Sequence, residues 1–394
     1  MTEPMQIRAC VLRGPGSLAT ETVSLAPPGA GQIRVRLAAA GVCHSDLHLA
    51  DGQLGHGRWP VVLGHEGAGV VEAVGDGVDQ IAPGDHVVLA MIVPCGACAA
   101  CRRGDRTLCE PAGAHGYAGT LADGSSRLTG SGGETLQHGF GVGCFAERVV
   151  VTADGAIPIP GSLPLWEAAL LGCGVLTGYG AVQNAARIGI GDRVCVIGCG
   201  GVGLQAIAAA KLAGAAQIIA VDLRADKVEH ALRRGASHAV VASDADPAGE
   251  IRAISGGGVD AALEVVGAPA TIRLAWDALR PGGTAVVVGL APVGVEVSLP
   301  ALEFLSEKRI IGSYYGSADP FLSMARLVDL ANTGRLPLDD MVSHRIELDQ
   351  IPEAFERLRH GEGDRSVVVL DPELAGVAAV HDHTTPDHPV EERP

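Results

Sequence analysis

The apolar positions of this chain change rhythm partway along it. Over the first 150 residues short runs such as Ile33–Ala39 and Val87–Ala90, alternating or apolar and bounded by turn residues, predict β-strands. The stretch Gly64–Gly75 (GHEGAGVVEAVG) predicts another strand with close-approach glycines. From about Cys173 strand-like and helix-like segments alternate. Arg193–Ile197 reads as a buried strand, Gly203–Ala213 as an Ala-rich helix, Ile218–Asp222 as a strand and Asp226–Arg234 as a helix. Ala261–Val266 and Ala285–Gly289 continue the series, which predicts parallel strands joined by crossover helices, a doubly wound α/β sheet. Beyond Tyr315 helices are expected near Met324–Thr333 and Ile351–Arg359, with a closing strand at Ser366–Asp371. The His-, Pro- and acid-rich end, Pro372–Pro394, is expected to be disordered, and its His381, His383 and His388 to be solvated rather than metal-binding.

Composition narrows the function. The chain has 394 residues, enough for two or three domains, and its formal charge of −16 argues against nucleic acid or an anionic membrane as partner. Met1–Arg13 lacks the positive start and apolar stretch of a secretory signal, so a cytoplasmic location is expected. Val194–Ala210 is the one segment resembling a membrane span, and its glycine spacing has a better explanation below. Ten cysteines in a cytosolic chain suggest metal binding before disulfides.

Cys95, Cys98, Cys101 and Cys109 form C-x2-C-x2-C-x7-C. Four thiolates on one short loop can close a tetrahedral shell around a structural zinc, with iron–sulfur ligation as the competing reading. Cys43 in Gly41–His48 (GVCHSDLH), His65 in GHE and Cys173 in Gly172–Gly180 (GCGVLTGYG) together supply two sulfurs and a nitrogen. That set suits a zinc with one position open to water or substrate. Each residue taken alone is better read as a buried thiol or a core histidine. Gly198, Gly200, Gly201, Val202 and Gly203 complete G-x-G-x-x-G between the strand Arg193–Ile197 and the Ala-rich helix, the context of a dinucleotide-binding turn. Asp222, nineteen residues after Gly203, is placed to accept from ribose hydroxyls and to repel a 2′-phosphate, which favours NAD. Arg224 dissents, since an arginine there can receive a phosphate.

From Ile7 to about Asp371 the chain resembles the zinc-containing medium-chain alcohol dehydrogenases, on GVCHSDLH, VLGHEGAGVV, the four-cysteine lobe, GCGVLTGYGA, VIGCGGVG and the acid at Asp222. The resemblance implies a GroES-like β-rich catalytic domain over 1–175 with a Rossmann NAD-binding domain over 176–315. It further implies a return to the catalytic domain over 316–371, ahead of the tail 372–394. It implies two zinc ions per chain, a catalytic one on Cys43, His65 and Cys173 and a structural one on the four clustered cysteines. Glu66 then lies behind the catalytic metal, and Asp46 orients His65. Ser45 and His48 would relay the alcohol proton to solvent. His44, Thr177, Lys227, Val266 and Arg365 would join the glycines, Asp222 and Arg224 around NAD, with Lys227 on the ribose and Arg224 along the adenine. The long segment between Cys109 and Cys173 is as in the dimeric members, and the apolar strand Arg309–Ser313 is a candidate edge for a homodimer.

Within that family, polyol dehydrogenases usually carry Glu where Cys173 stands, and cinnamyl-type enzymes a small residue in place of Asp222; zinc-free quinone reductases lack the ligands. The thiol-adduct formaldehyde dehydrogenases are the runner-up, although the neutral stretch Ala112–Ala114 replaces their glutathione-form arginine. A zinc-stabilised NAD-binding sensor is the non-enzymatic alternative. Met91, Phe140 and Leu290–Val293 are expected to line an apolar pocket. That favours primary alcohols with aromatic, allylic or medium alkyl groups, and their aldehydes, over polyols.

Overall fold

The computed structural model describes residues 3–54, 59–243 and 246–377. Three sheets organise it. Met5–Gly14, Ser17–Leu25, Leu128–Thr129, Thr135–His138 and Val61–Val62 close a small barrel. Beside it, a second sheet runs Ala156–Pro158, His86–Leu89, Glu66–Val74, Gln32–Gly41, Arg365–Val369 and Val342–Ile346, with Arg148–Thr152 also paired to Gln32–Gly41. Its two C-terminal strands return some three hundred residues along the chain to pair with the first half: Val367 lies opposite Gly41 in antiparallel register. That return places Arg365 beside Glu66.

The third sheet is all parallel, in the order His238–Val241, Gln217–Asp222, Arg193–Ile197, Val259–Glu264, Leu279–Val287, Arg309–Gly312. In sequence rank this is 3-2-1-4-5-6, the doubly wound order whose chain reversal leaves a crevice beyond the strand ends. The strands are buried runs such as the fully covered Val194, Cys195 and Val196, as a sheet covered on both faces requires. Val194–Ala210, the segment that resembled a membrane span, divides into the strand Arg193–Ile197 and the start of the helix Gly201–Ala213. One helical run, Leu165–Ala186, is long and apolar enough to cross a membrane, yet 83% of its most apolar window is buried inside the protein. Its first half packs on the strands Gln32–Gly41 and Glu66–Val74, its second half on Gly201–Ala213 and the parallel sheet. This buried helix joins the two halves of the molecule.

Two expectations at the C-terminal end need correction. The helix expected from Met324 begins at Pro320, because Asp319 accepts from the amides of Phe321 (3.0 Å) and Leu322 (3.3 Å) and proline occupies the first turn. The expected disorder does not begin at Pro372 either. Asp371 caps a one-turn helix, Pro372–Ala375, and Ala375 is buried. Residues 378–394, including His381, His383 and His388, lie outside the described residues.

Candidate active site

Cys43, His65, Glu66 and Cys173 come from three separate stretches of chain, yet their ligand atoms all lie within 4.8 Å of one another and all four residues are buried. Cys43 ends the connection from the strand Gln32–Gly41 and sits at the N-cap of the short helix His44–Ala50. His65 precedes the strand Glu66–Val74. Gly64 before it has φ +91°, and a Cβ there would stand 2.6 Å from the Phe145 amide nitrogen, so only glycine permits this turn. Asp46 holds the arrangement: one carboxylate oxygen accepts from the Gly64 amide at 2.9 Å, and the other lies 3.1 Å from His65 Nδ1. Cys173 is delivered by a wide π-type turn, Leu171–Val175, inside the buried helical run. Such turns are rare, and they concentrate at functional sites. Tyr315 supports this one by donating to the Gly172 carbonyl at 2.5 Å while accepting from the Met91 amide at 3.0 Å.

The chemistry of the group is that of a cation site. A hydrogen bond with Cys173 holds the Cys43 thiol well below its ordinary range, against the burial that would raise it. The same bond and burial hold Cys173 well above. Neither ring nitrogen of fully buried His65 makes a well-formed hydrogen bond. A buried imidazole whose nitrogens lack well-formed hydrogen bonds is costly, and two thiols with one imidazole match the donors of zinc, whose shell they leave open at one position. The donors present therefore fit the metal that the resemblance implies. Glu66 sits behind them, its carboxyl pushed up to about 7 by burial against the opposing charge of Arg365. The two form an ion pair across 299 residues of sequence, both buried.

Cys95, Cys98, Cys101 and Cys109 form the second cluster, their sulfurs also within 4.8 Å. Thiolates about 2.3 Å from one ion sit about 3.8 Å apart in a tetrahedron, so the spacing suits a single ion. Backbone amides already point at the sulfurs: Cys95 donates to Cys109 at 3.2 Å, Cys98 to Cys95 at 3.3 Å and Cys101 to Cys98 at 3.5 Å. The Cys101 amide is the main cause that brings the Cys98 thiol down to about 6, while desolvation pushes Cys101 up to about 12.

The glycine turn joins the strand Arg193–Ile197 of the parallel sheet to the helix Gly201–Ala213. Gly198 has φ +99° and faces Val266, whose Cγ2 would stand 2.7 Å from an added Cβ. At Gly203 a Cβ would strike the Gly198 carbonyl, and at Gly200 it would meet nothing within 4 Å. The first and last glycines thus serve tight packing, and the middle one leaves the backbone open to a ligand. Gly201 is explained differently: with Gly174 it makes room for the Arg365 side chain. Asp222 accepts from the amides of Cys199 (2.8 Å) and Arg224 (3.1 Å). Arg224 is paired with Asp226 at 2.8 Å, and Lys227 is engaged by Asp364 at 3.1 Å and by the Gly363 carbonyl. His44 and His48 have rings 6.3 Å apart. Ser45 Oγ lies 3.7 Å from Cys43 Sγ, and Thr177 Oγ1 3.8 Å from Cys173 Sγ. Sequence reading missed Gln53, whose Oε1 lies 2.5 Å from His48 Nδ1 five residues away, and Tyr315 and Asp364, which only contacts between distant segments reveal.

Met91 and Phe140 line one cavity of about 200 Å³, with Leu89, Leu121 and Val142 among its apolar walls and His115, Thr120 and Asp154 among its polar ones. Among the described residues that line it there is no Lys or Arg. The Phe140 ring stands edge-on to His65 at 4.8 Å. Leu290–Val293 do not belong to this cavity. Leu290 and Val293 are exposed, and the Val293 amide donates to the Gln53 carbonyl at 3.2 Å, so this loop packs over the His48 end instead.

Comparison with known proteins agrees in both halves of the chain. The alcohol dehydrogenase GroES-like domain matches residues 29–161, and the zinc-binding dehydrogenase family matches residues 201–332. An NDMA-dependent alcohol dehydrogenase of Amycolatopsis methanolica is 39% identical over 370 residues, 93% of this chain and 99% of that one. Among solved structures, an alcohol dehydrogenase zinc-binding domain protein from Burkholderia ambifaria superposes with a TM-score of 0.88 at 37% identity, covering 93% of this chain and 99% of its own. Benzyl alcohol dehydrogenase from Acinetobacter calcoaceticus does so with 0.87 at 31% identity and the same coverage. Its architecture is thus a GroES-like domain with a Rossmann-type cofactor domain, and the chain belongs to the zinc-containing medium-chain alcohol dehydrogenase family, as an NAD-dependent oxidoreductase.

Proposed function

We propose that this enzyme converts primary alcohols bearing an aromatic, allylic or medium alkyl group to their aldehydes, reversibly, with NAD. The observation that carries the reading is the open donor set Cys43, His65 and Cys173 beside a cavity walled by Met91 and Phe140. Burying apolar substrate surface there contributes about 25 cal/mol per Å², and no Lys or Arg among the described lining residues rewards a carboxylate.

In this reading Cys43, His65 and Cys173 hold the catalytic zinc, and the four clustered cysteines hold a second, structural one. Zinc held by these three residues would supply the positive charge that favours ionisation of a substrate hydroxyl, and NAD held at the glycine turn would supply the hydride acceptor. Asp46 keeps the His65 ring in orientation. Ser45 takes the hydroxyl proton and passes it toward His48, which Gln53 holds at the solvent side. Arg365 and Glu66 counterbalance charge between the metal ligands and the glycine turn. Domain limits near 175 and 315 follow, the first falling within the helix Leu165–Ala186 that both halves share. A homodimer fits the edge strand Arg309–Gly312 and the adjoining exposed Leu302, Phe304 and Leu305.

The test is kcat/KM for benzyl alcohol, hexanol, ethanol and sorbitol with NAD. Benzyl alcohol and hexanol are expected to lead; sorbitol matching hexanol would refute the substrate class. The polar walls His115 and Asp154 support a second reading, a thiol-adduct formaldehyde dehydrogenase. Running the panel with formaldehyde, with and without a low-molecular-weight thiol, separates the two. Adding NDMA shows whether the dependence in the name of the Amycolatopsis relative extends to this chain. Light scattering of the purified protein checks the dimer.

A further inference from the structure

The helix after the ribose-binding acid carries several cations, and carboxylates meet them. Arg224 pairs with Asp226, Lys227 and His230 both pair with Asp364, and Arg234 pairs with Asp340. The pairs are unequal. Arg224 and Asp226 are exposed at 44% and 62% of their side chains, so their attraction is screened. Lys227 and Asp364 are exposed at only 9% each. Asp364 spans both partners, with Oδ1 at 3.1 Å from Lys227 Nζ and Oδ2 at 2.7 Å from His230 Nδ1, while its own amide donates to Ser343 Oγ at 2.8 Å. It arrives from the other half of the molecule, next to Arg365, on the turn before the returning strand Arg365–Val369.

The cluster borders the coenzyme turn. The Cys199 amide is bound by Asp222, and the Cys199 thiol, raised to about 12 chiefly by burial, also feels Asp222, Lys227 and Asp364. In a doubly wound fold the adenosine ribose lies at the acid that ends the second strand, here Asp222. A dinucleotide with a 2′-phosphate therefore needs a free cation at this spot, because phosphate recognition rests on charge-assisted hydrogen bonds. Repulsion by Asp222 is half of the exclusion. The other half is that the buried cation, Lys227, is already paired with Asp364.

We propose that Asp364 is a specificity-determining residue that rejects NADP by neutralising Lys227, and by engaging the His230 ring, from across the domain junction. It acts through those two side chains, as a positioning residue. The inference rests on the NAD reading above. Removing its charge leaves a buried lysine without a counter-ion, a strongly unfavourable state that a 2′-phosphate relieves.

Asp364→Asn tests this in the zinc-loaded enzyme, because the amide keeps the shape and an acceptor oxygen while losing the charge. The ratio of kcat/KM for NADP over NAD is expected to rise by about tenfold, equivalent to about 1.4 kcal/mol, through a lower KM for NADP with little change in its kcat. Asp364→Glu, which restores the charge, is expected to return the ratio toward wild type, and Asp226→Asn at the exposed pair to move it less. If Asp364→Asn is poorly folded, Asp364→Ser and NADPH binding followed by fluorescence provide the same comparison. An unchanged ratio, or equal losses with both coenzymes, overturns the proposal, the second outcome marking Asp364 as merely structural. A wild type that prefers NADP would instead refute the underlying NAD reading, whatever the variants do.

Discussion

The two cysteine-containing clusters hold their donors equally close and differ in nearly everything else. Cys95, Cys98, Cys101 and Cys109 fall within fifteen residues, on a loop where each sulfur accepts a backbone amide of the same loop. Cys43, His65 and Cys173 are spread over 131 positions and meet only because a strand end, a glycine turn and a buried helix converge. The local cluster is organised by its own backbone, so a metal there stabilises the loop that carries it. The dispersed one depends on the fold being complete, offers three strong donors instead of four, and has the Phe140 ring edge-on to its histidine. On the proposed reading, folding energy resides in the first arrangement and chemistry in the second.

The largest effect should come from breaking the closed cluster. Structural zinc contributes on the order of 10 kcal/mol in small isolated modules, so Cys98→Ser is expected to lose most soluble protein, or to melt far below wild type. Elemental analysis of wild type should find two zinc ions per chain. A Cys98→Ser protein with two zinc ions and an unchanged melting temperature would erase the distinction drawn here.

Cys43→Ser should do the reverse, leaving a folded chain that retains one zinc and loses activity by at least about a thousandfold, or roughly 4 kcal/mol of barrier. Circular dichroism and metal content separate this outcome from misfolding. An active Cys43→Ser enzyme would remove the open site from the mechanism.

How much of this was legible beforehand follows from the same contrast. The four-cysteine loop, the glycine turn after Arg193–Ile197 and Asp222 are contiguous or near-contiguous signals, and residues alone suffice to read them. The open trio had no such signature; only family likeness joined Cys43 to His65 and Cys173. The wide turn that delivers Cys173 lies in an apolar helix, Leu165–Ala186, whose uniform hydrophobicity has no periodicity to announce it. The Arg365–Glu66 pair and the Asp364 cluster are products of a strand that returns from the far end of the chain, which no local pattern encodes. The misplaced Leu290–Val293 loop has the same cause, since an apolar stretch does not say which cavity it faces.

Asp46 offers an intermediate effect. It touches the dispersed site only through the Gly64 amide and His65, so Asp46→Asn should preserve the fold while weakening metal retention or kcat/KM by about 10–100-fold, the usual cost of losing a ligand's carboxylate partner. Zinc loss to a chelator over time, followed alongside activity, should show both falling together. Activity lost with zinc fully retained would assign Asp46 a different role.

The smallest effect concerns a second buried histidine, which serves as the control for His65. His138 is equally inaccessible, yet both its ring nitrogens are used: Nδ1 donates to the Val142 carbonyl at 3.1 Å, and Nε2 accepts from the Arg127 amide at 3.3 Å. That pairing requires the neutral ring, and burial accordingly pushes its pKa down to about 4. An unfolded histidine titrates near 6.5, so as pH falls below that value the unfolded chain binds a proton that the folded chain refuses. Stability is therefore lost between about pH 6.5 and 4 and levels off below, amounting to about 2 kcal/mol by pH 5. His138→Gln keeps a donor and an acceptor without a titratable proton. Urea unfolding of both proteins at pH 7.5 and pH 5 should show the wild type losing about 2 kcal/mol more than the variant. Zinc loss in acid affects the two alike and cancels in the comparison. Equal losses would mean that His138 charges in the folded protein, and a satisfied histidine could then no longer be told from a metal-binding one by its hydrogen bonds.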